Sequence, residues 1–102
     1  MFDVCYLIKV NTTYDDIGQP INTEDRLKRF CEVGAITRAE WDTAGQNGVK
    51  PSTMIILNAF EYGGELDVEY NEKRYSVYRT YTRQESNKTE LYLEIKAGDD
   101  NG

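Results

Sequence analysis

The sequence contains no histidine, only two cysteines and two prolines, and a single tryptophan among its 102 residues. Histidine is the commonest general acid–base group, and zinc sites are usually built from cysteine and histidine. The chain also has no serine elbow, no phosphate-binding glycine loop and no spacing typical of metal ligands. These absences predict a protein that is not an enzyme and that uses neither a metal nor a cofactor.

Long apolar runs are also missing, because no stretch approaches the roughly 18 apolar residues of a membrane-spanning helix. The first ten residues lack the basic start and the sustained apolar core of a secretory signal. We therefore expect a soluble protein that is synthesised in the cytoplasm and has no membrane partner. A single domain is predicted over residues 1–97, followed by a flexible tail at residues 98–102.

Charge is distributed unevenly along the chain. The net charge is −6, yet residues 71–83 (NEKRYSVYRTYTR) carry +3, so the remainder carries −9. Because three tyrosines alternate with the basic residues, this segment is either a nucleic-acid-stacking surface or an ordinary strand of a sheet. An acidic chain is repelled by phosphate backbones at long range, which favours the ordinary strand.

Two long segments near the N-terminus predict a β-hairpin. Residues 4–13 are rich in Val, Ile, Tyr and Thr, residues 14–20 are turn formers, and residues 21–33 form the returning strand. The distal half of the hairpin is polar and is expected to project from the body of the protein. Its Asp15-Asp16 pair suggests either calcium binding or a turn, and the absence of an EF-hand ladder favours the turn.

The two cysteines, Cys5 and Cys31, lie among apolar neighbours in the two predicted strands. A buried free thiol behaves as a small apolar side chain, and this is the role that the surroundings favour. Because hairpin pairing can bring the two residues near each other, a disulfide in an oxidising setting is the alternative.

One short helix is predicted in the middle of the chain. Thr37 and Glu40 have the spacing of a capping box, in which the Thr hydroxyl accepts the Glu40 amide and the Glu side chain returns to the Thr37 amide. Ile36 and Trp41 occupy the positions of a hydrophobic staple. The helix is expected to run from Arg38 to about Ala44 and to be ended by Gly45, Gly48 and Pro51.

The C-terminal half of the chain alternates in the manner of strands. Residues 53–62 are apolar on both faces, which predicts a central strand or one covered by the helix or a neighbouring subunit. Residues 71–72 predict a tight turn. By this alternation Arg79 would face the core together with Tyr75 and Val77. A charged side chain there is expected at a bulge, paired with an acid or directed at a partner. The side chains expected to face the core are Leu66, Val68, Tyr70, Tyr75, Val77, Tyr81, Leu91, Leu93 and Ile95.

Pairing of the last two strands is expected to bring Glu90 and Glu94 near basic side chains on the exposed face. Taken together, the elements predict an all-β fold: a small antiparallel β-barrel with long hairpin loops and one short helix.

The order of these elements resembles that of the head-closure, or head–tail joining, proteins of tailed bacteriophages, of the stopper or adaptor type, in prophages of low-GC Gram-positive bacteria. The likeness extends from about Tyr6 to Glu94. It is carried by a DxxGQxI turn at residues 15–21, an SxxEFxxA-like segment at residues 37–44, the spaced Gly48 and Pro51, and Tyr-x-Val-x-Arg-x-Tyr at residues 75–81.

The resemblance implies a structural virion protein that assembles as a ring, commonly twelve-fold, beneath the portal and its adaptor. Such a ring closes the DNA-filled head and joins it to the tail proteins, while double-stranded DNA passes through the channel without sequence-specific binding. The expected location is the head–tail connector of the virion, and the state of the free chain, monomer or ring, stays open. The side chains expected at interfaces or channel loops are Arg38, Glu40, Trp41, Gln46, Lys50, Arg74, Arg79 and Arg83.

Two other functions stay open. A β-barrel nucleic-acid-binding module would use the basic segment at residues 71–83 as its binding surface, and its affinity would depend on salt. A different neck or tail-completion protein of a phage would share the barrel and attach to another part of the particle.

Overall fold

A computed structural model describes residues 3–95 of the chain. Its elements in chain order are β1 (Asp3–Tyr14), β2 (Pro20–Gly34), α1 (Arg38–Gln46), β3 (Thr53–Asn58), a 3-10 helix (Ala59–Glu61), β4 (Asp67–Tyr70), β5 (Lys73–Arg83) and β6 (Lys88–Ile95). The six strands close into a barrel in the order β1-β2-β3-β6-β5-β4, and all neighbours are antiparallel.

The predicted all-β barrel with one short α-helix is thus confirmed for the described part of the chain. The tail predicted at residues 98–102 lies outside the described residues. Within residues 3–95, no helix is long and apolar enough to cross a membrane.

Alternate side chains from all six strands fill the interior of the barrel, as strand geometry requires. The buried cluster consists of Cys5, Leu7, Cys31, Ile55, Leu57, Val68, Tyr75, Leu91 and Leu93. Both cysteines are free thiols inside this cluster, in agreement with their predicted apolar role. Contact with Cys31, together with burial, raises the pKa of the Cys5 thiol, so this thiol stays protonated at neutral pH.

The first two strands form the predicted long hairpin, and their outer part projects from the barrel. β1 pairs with β2 from Asp3 to Tyr14, but it pairs with β4 only over residues 5–8. Likewise, β2 pairs with β3 only over residues 32–34. We call residues 9–25 the arm, because there each of the two strands pairs with no strand of the described chain except the other. The arm accounts for the elongated dimensions of 50 × 30 × 24 Å.

Both predicted turns are present. At the tip of the arm, one carboxylate oxygen of Asp15 accepts the N–H groups of Ile17 and Gln19, at 3.0 and 2.8 Å, so this side chain shapes the turn. Between β4 and β5, Asn71 and Glu72 adopt φ values of 55° and 67°. Positive φ at both central residues is the geometry of a two-residue turn that suits the twist of a hairpin.

The strand predicted over residues 53–62 ends four residues early. β3 stops at Asn58, the chain enters the 3-10 helix, and Phe60 is exposed instead of packed. The barrel order explains the difference, because β3 lies between β2 and β6 and the chain must cross the end of the barrel to reach β4. Leu66 lies on this crossing segment and is 68% exposed, so its predicted place in the core is wrong.

A bulge in β5 reverses the orientation of the residues that follow it. Val77 lies opposite Leu93 and Arg79 lies opposite Tyr92, so Tyr78 is an extra residue with no partner of its own. After this insertion the parity changes, and Tyr81 is 54% exposed rather than in the predicted core. Ile95, at the end of β6, is also exposed, whereas Leu91 and Leu93 are buried as predicted.

We expect Leu93→Ala to lower the free energy of unfolding by about 2–5 kcal/mol, because it leaves a cavity among fully buried side chains. Leu66→Ala removes the same atoms from an exposed position and is the matched control, with an expected effect within about 0.5 kcal/mol. Urea unfolding followed by circular dichroism measures both changes. Equal effects at the two positions would contradict the assignment of Leu93 to the core.

Candidate functional site

Helix α1 begins where the sequence predicts, but only half of the predicted capping box forms. The Thr37 hydroxyl accepts the N–H of Glu40 at 3.1 Å, which caps the first turn. The returning bond from the Glu40 side chain to the Thr37 amide is replaced by contacts with β5. The helix ends at Gln46, and Gly48 follows at a φ of +77°, which glycine adopts at no steric cost.

Glu40 is the residue that joins α1 to the barrel. Its carboxylate accepts a hydrogen bond from the Tyr78 hydroxyl at 2.7 Å and is held by the guanidinium of Arg79 through both of its oxygens. Arg79 in turn lies over the ring of Tyr92, 3.9 Å from its centroid. We call these four residues, Glu40, Tyr78, Arg79 and Tyr92, the clasp.

The clasp matters for the position of α1 because the helix makes little apolar contact with the barrel. Ala44 is the only buried residue of the helix. In the clasp, by contrast, the side chain of Glu40 is only 11% exposed, while that of Arg79 is 45% exposed. A nearly buried carboxylate requires a partner, since an unpaired buried charge is strongly destabilising. The bulge at Tyr78 supplies the partner by turning Arg79 outwards.

A second ion pair continues the network along β6. Arg83 donates to Glu90 at 2.6 Å, and the Tyr92 hydroxyl donates to the other oxygen of the same carboxylate. The predicted meeting of Glu90 with a basic side chain of β5 is therefore confirmed. Its predicted exposure is wrong: Glu90 is only 7% exposed, because Arg83 and Tyr92 cover it on the outer face of the barrel.

Both carboxylates are held in their charged form. Hydrogen bonds from Arg79 and then from Tyr78 lower the pKa of Glu40, against the opposing effect of burial. Burial by itself would raise the pKa of Glu90, but the hydrogen bonds from Tyr92 and Arg83 outweigh it and the pKa is lowered. Burial and the bond to Glu40 raise the pKa of Tyr78, which remains a protonated donor at neutral pH.

The other predicted site residues do not join this network. Arg74 contacts Glu24 at the root of the arm, with the closest atoms 3.1 Å apart. Arg38 and Trp41 line a shallow hollow on the outer side of α1. Lys50 lies in a different hollow beside Pro51 and Glu94, and Gln46 is exposed in the last turn of the helix. The proposed interface or channel role of all eight residues stays a prediction.

Sequence reasoning predicted some of these contacts and missed others. Because Arg79 breaks the alternation of β5, a bulge or an acid partner was expected there, and the structure has both, with Tyr78 as the inserted residue and Glu40 as the acid. The role of Tyr92 was missed because an outward tyrosine on an alternating strand gives no sign of what covers it. Glu24 was missed as a partner of Arg74 because the two residues are 50 positions apart.

In this network each carboxylate is paired with an arginine and also accepts a hydrogen bond from a tyrosine hydroxyl. Among the described residues, every buried side-chain nitrogen and oxygen has a hydrogen-bond partner. Within residues 3–95, no group of three or more Cys, Asp or Glu side chains is arranged to hold a metal ion. The arrangement therefore positions α1 and neutralises arginines.

Comparison of the chain with known protein families and with curated proteins finds no match.

A double-mutant cycle tests whether Glu40 and Arg79 hold the helix. The cycle compares the free energies of unfolding of the wild-type protein, Glu40→Gln, Arg79→Gln and the double variant. We expect a coupling energy of about 1 kcal/mol, which is less than for a fully buried charged hydrogen bond because Arg79 is partly exposed. The pair of Arg26 and Glu69 serves for comparison, because its carboxylate side chain is 23% exposed against 11% for Glu40, and we expect a coupling of a few tenths of a kcal/mol there. A coupling no larger than that of Arg26 and Glu69 would contradict the role of the clasp.

The same carboxylate predicts a dependence of stability on pH. Because the pKa of Glu40 is lowered by folding from about 4.5, its contribution is present above that pH and is lost as the pH falls through the lower, folded value. The difference in free energy of unfolding between the wild-type protein and Glu40→Gln is therefore expected to be constant near neutral pH and to shrink below about pH 4.5. A difference that stays constant down to the acid transition would contradict this.

Proposed function

We propose that this protein is a structural component of the neck of a tailed bacteriophage. In this role it assembles as a ring beneath the portal or its adaptor, closes the DNA-filled head and joins it to the tail. The observation that carries the proposal is the closed barrel with a packed interior, from which a long arm projects at one end. A barrel of this kind offers surfaces for neighbours rather than a cavity for a ligand.

The second support is the distribution of charge. The arginines of the basic segment are paired within the chain: Arg74 with Glu24, Arg79 with Glu40, and Arg83 with Glu90. These three arginines are therefore neutralised by acids of the same chain, and the chain as a whole carries a net charge of −6. A channel lined by such subunits repels phosphate and lets a genome slide past. In this role the chain binds the portal or adaptor ring, the tail proteins and other copies of itself. DNA passes through the ring without sequence-specific binding.

The nucleic-acid-binding alternative has weaker support. Base stacking requires aromatic rings together on an open face beside basic groups. Here Tyr75 is buried in the core, Tyr78 is bonded to Glu40, and only Tyr81 of the three tyrosines is largely exposed. A different neck or tail-completion protein would share the barrel and is distinguished by the stage at which assembly stops.

Deletion of the gene from its prophage tests the proposal. After induction, negative-stain electron microscopy of the lysate is expected to show free tails beside heads that are empty or leak DNA. Expression of the wild-type gene from a plasmid is expected to restore joined particles, and mass spectrometry of those particles is expected to find the chain in the virion. Intact, infectious particles from the deletion strain would overturn the proposal.

A further inference from the structure

The arm leaves one edge of each of its strands open. β1 has no β4 partner beyond Ile8, and β2 has no β3 partner before Glu32. Within the described chain, no strand lies beside residues 9–14 on the outer side of β1 or beside residues 20–25 on the outer side of β2. Such an edge presents unpaired N–H and C=O groups and is a template for another strand.

The turn at the tip determines which backbone groups face these edges. The N–H of Asp15 donates to the carbonyl of Gln19 at 3.0 Å, and Pro20, which lies opposite Tyr14, has no N–H to donate. Bonded and non-bonded pairs alternate along an antiparallel ladder, so Tyr14 and Pro20 form a non-bonded pair. By the same alternation, Val10, Thr12 and Tyr14 turn their N–H and C=O groups towards the open edge of β1.

The two edges differ in how well they are protected. The edge of β2 starts with Pro20 and continues through the charged residues Glu24 and Asp25, which are devices that discourage strand addition. Residues 10–14 of β1, Val-Asn-Thr-Thr-Tyr, carry no charge and are mostly β-branched or aromatic. Tyr14 is 71% exposed and Val10 is also exposed. The edge of β1 is therefore the one prepared to accept a strand.

We propose that this edge binds a second copy of the same chain, with residues 10–14 of the two copies antiparallel about a two-fold axis at Thr12. The segment is complementary to itself in this register. Val10 faces Tyr14 of the partner subunit, and Thr12 faces Thr12 of the partner subunit. Aromatic–β-branched and Thr–Thr pairs are both favourable across antiparallel strands. In this register the outward N–H and C=O groups of Val10 bond with those of Tyr14 of the partner subunit. Those of Thr12 bond with those of Thr12 of the partner subunit.

Charge supports the same register. One step beyond Val10, the exposed Lys9 comes opposite Asp15 of the partner subunit, so each end of the paired segment joins opposite charges. A register shifted by one pair towards the barrel would require Ile8, whose edge is already occupied by Asp67 of β4. A register shifted towards the tip would replace strand residues by the turn. The register centred on Thr12 therefore pairs the most outward-facing residues, three in each copy.

A hollow beside the edge offers a place for the incoming aromatic ring. Its volume is about 480 Å³. Its apolar lining comes from Ile8, Val10 and Leu66, and Gly63, Gly64 and the charged residues Lys9, Glu65 and Asp67 complete it. Because Tyr14 of the partner subunit lies opposite Val10, its ring comes over this hollow and against Leu66. This contact gives the exposed Leu66 an apolar neighbour. Gly64 leaves space for the ring, because no atom lies within 4 Å of the place where its side chain would begin, whereas the Glu65 carboxylate fills the corresponding space at Gly63.

The proposed interface between the two copies is small, and its two-fold symmetry differs from the symmetry of a ring. Five residues per copy bury less surface than the interfaces of permanent dimers, so we expect an equilibrium between monomer and dimer that depends on concentration. A two-fold contact uses the same surface on both copies, whereas a ring needs a head-to-tail contact between different surfaces. The inference rests on the arm alone and stands or falls separately from the proposed phage function.

Sedimentation velocity of the full-length protein, from low micromolar to near-millimolar concentration, is the first test. The wild-type chain is expected to form dimers, and Thr12→Pro, which removes an N–H at the edge of β1, is expected to weaken them about tenfold or more. Asn22→Pro removes an outward N–H from the edge of β2 and, like Thr12→Pro, the hydrogen bond from the Thr12 hydroxyl to the Asn22 side chain. It is therefore the matched control, with no expected effect on the dimer. A chain that stays monomeric throughout, or one that loses its dimer with Asn22→Pro alone, would overturn the proposal.

A cross-link tests the register without a proline. Residues opposite each other in a bonded pair have Cα atoms about 5.5 Å apart, within reach of a disulfide. With oxidised glutathione as oxidant, Thr12→Cys is expected to form a covalent dimer, while Thr13→Cys, on the other face and opposite Asn11 of the partner subunit, is not. The native thiols are buried and serve as the background in both variants. Equal cross-linking of the two variants, or none with Thr12→Cys, would reject this register.

Discussion

The barrel is closed by only four residue pairs between β1 and β4, and this short seam determines what extends beyond it. β1 and β2 pair over twelve residue pairs, so their outer portions pass beyond the seam and have no further strand to pair with. The surplus becomes the arm. The closed strand order also forces the chain to leave the sheet after Asn58 and cross the end of the barrel, which exposes Phe60 and Leu66.

The bulge in β5 connects the barrel to the helix. Before the bulge, Tyr75 packs into the core; after it, Arg79 points outwards over Tyr92 and reaches Glu40. Because Ala44 is the only buried residue of α1, the position of the helix depends mainly on this charged contact. One inserted residue thus converts a side chain of core parity into the anchor of a neighbouring element, as bulges commonly do.

These features leave the outside of the barrel as the part of the described chain that is open to contacts. The interior is filled, and the arginines of β5 are paired with acids of the same chain, so the molecule presents an acidic exterior, an arm with an open edge and a helix held by the clasp. A protein with such surfaces is suited to contacts with neighbours in an assembly. The same pairing of charges lowers the attraction to nucleic acid that the basic segment suggests in isolation.

The sequence by itself determined the hairpin of β1 and β2, the start of α1 at Arg38 after its cap Thr37, the turn at Asn71-Glu72 and the burial of Leu91 and Leu93. Each depends on alternation or on hydrogen bonds between residues close in the chain, which the local sequence encodes. Only the tertiary structure decided where β3 ends, which way Tyr81 points and which residue Glu40 binds. These outcomes depend on closure of the sheet and on contacts between residues as far apart as Glu40 and Arg79, and no local pattern contains that information.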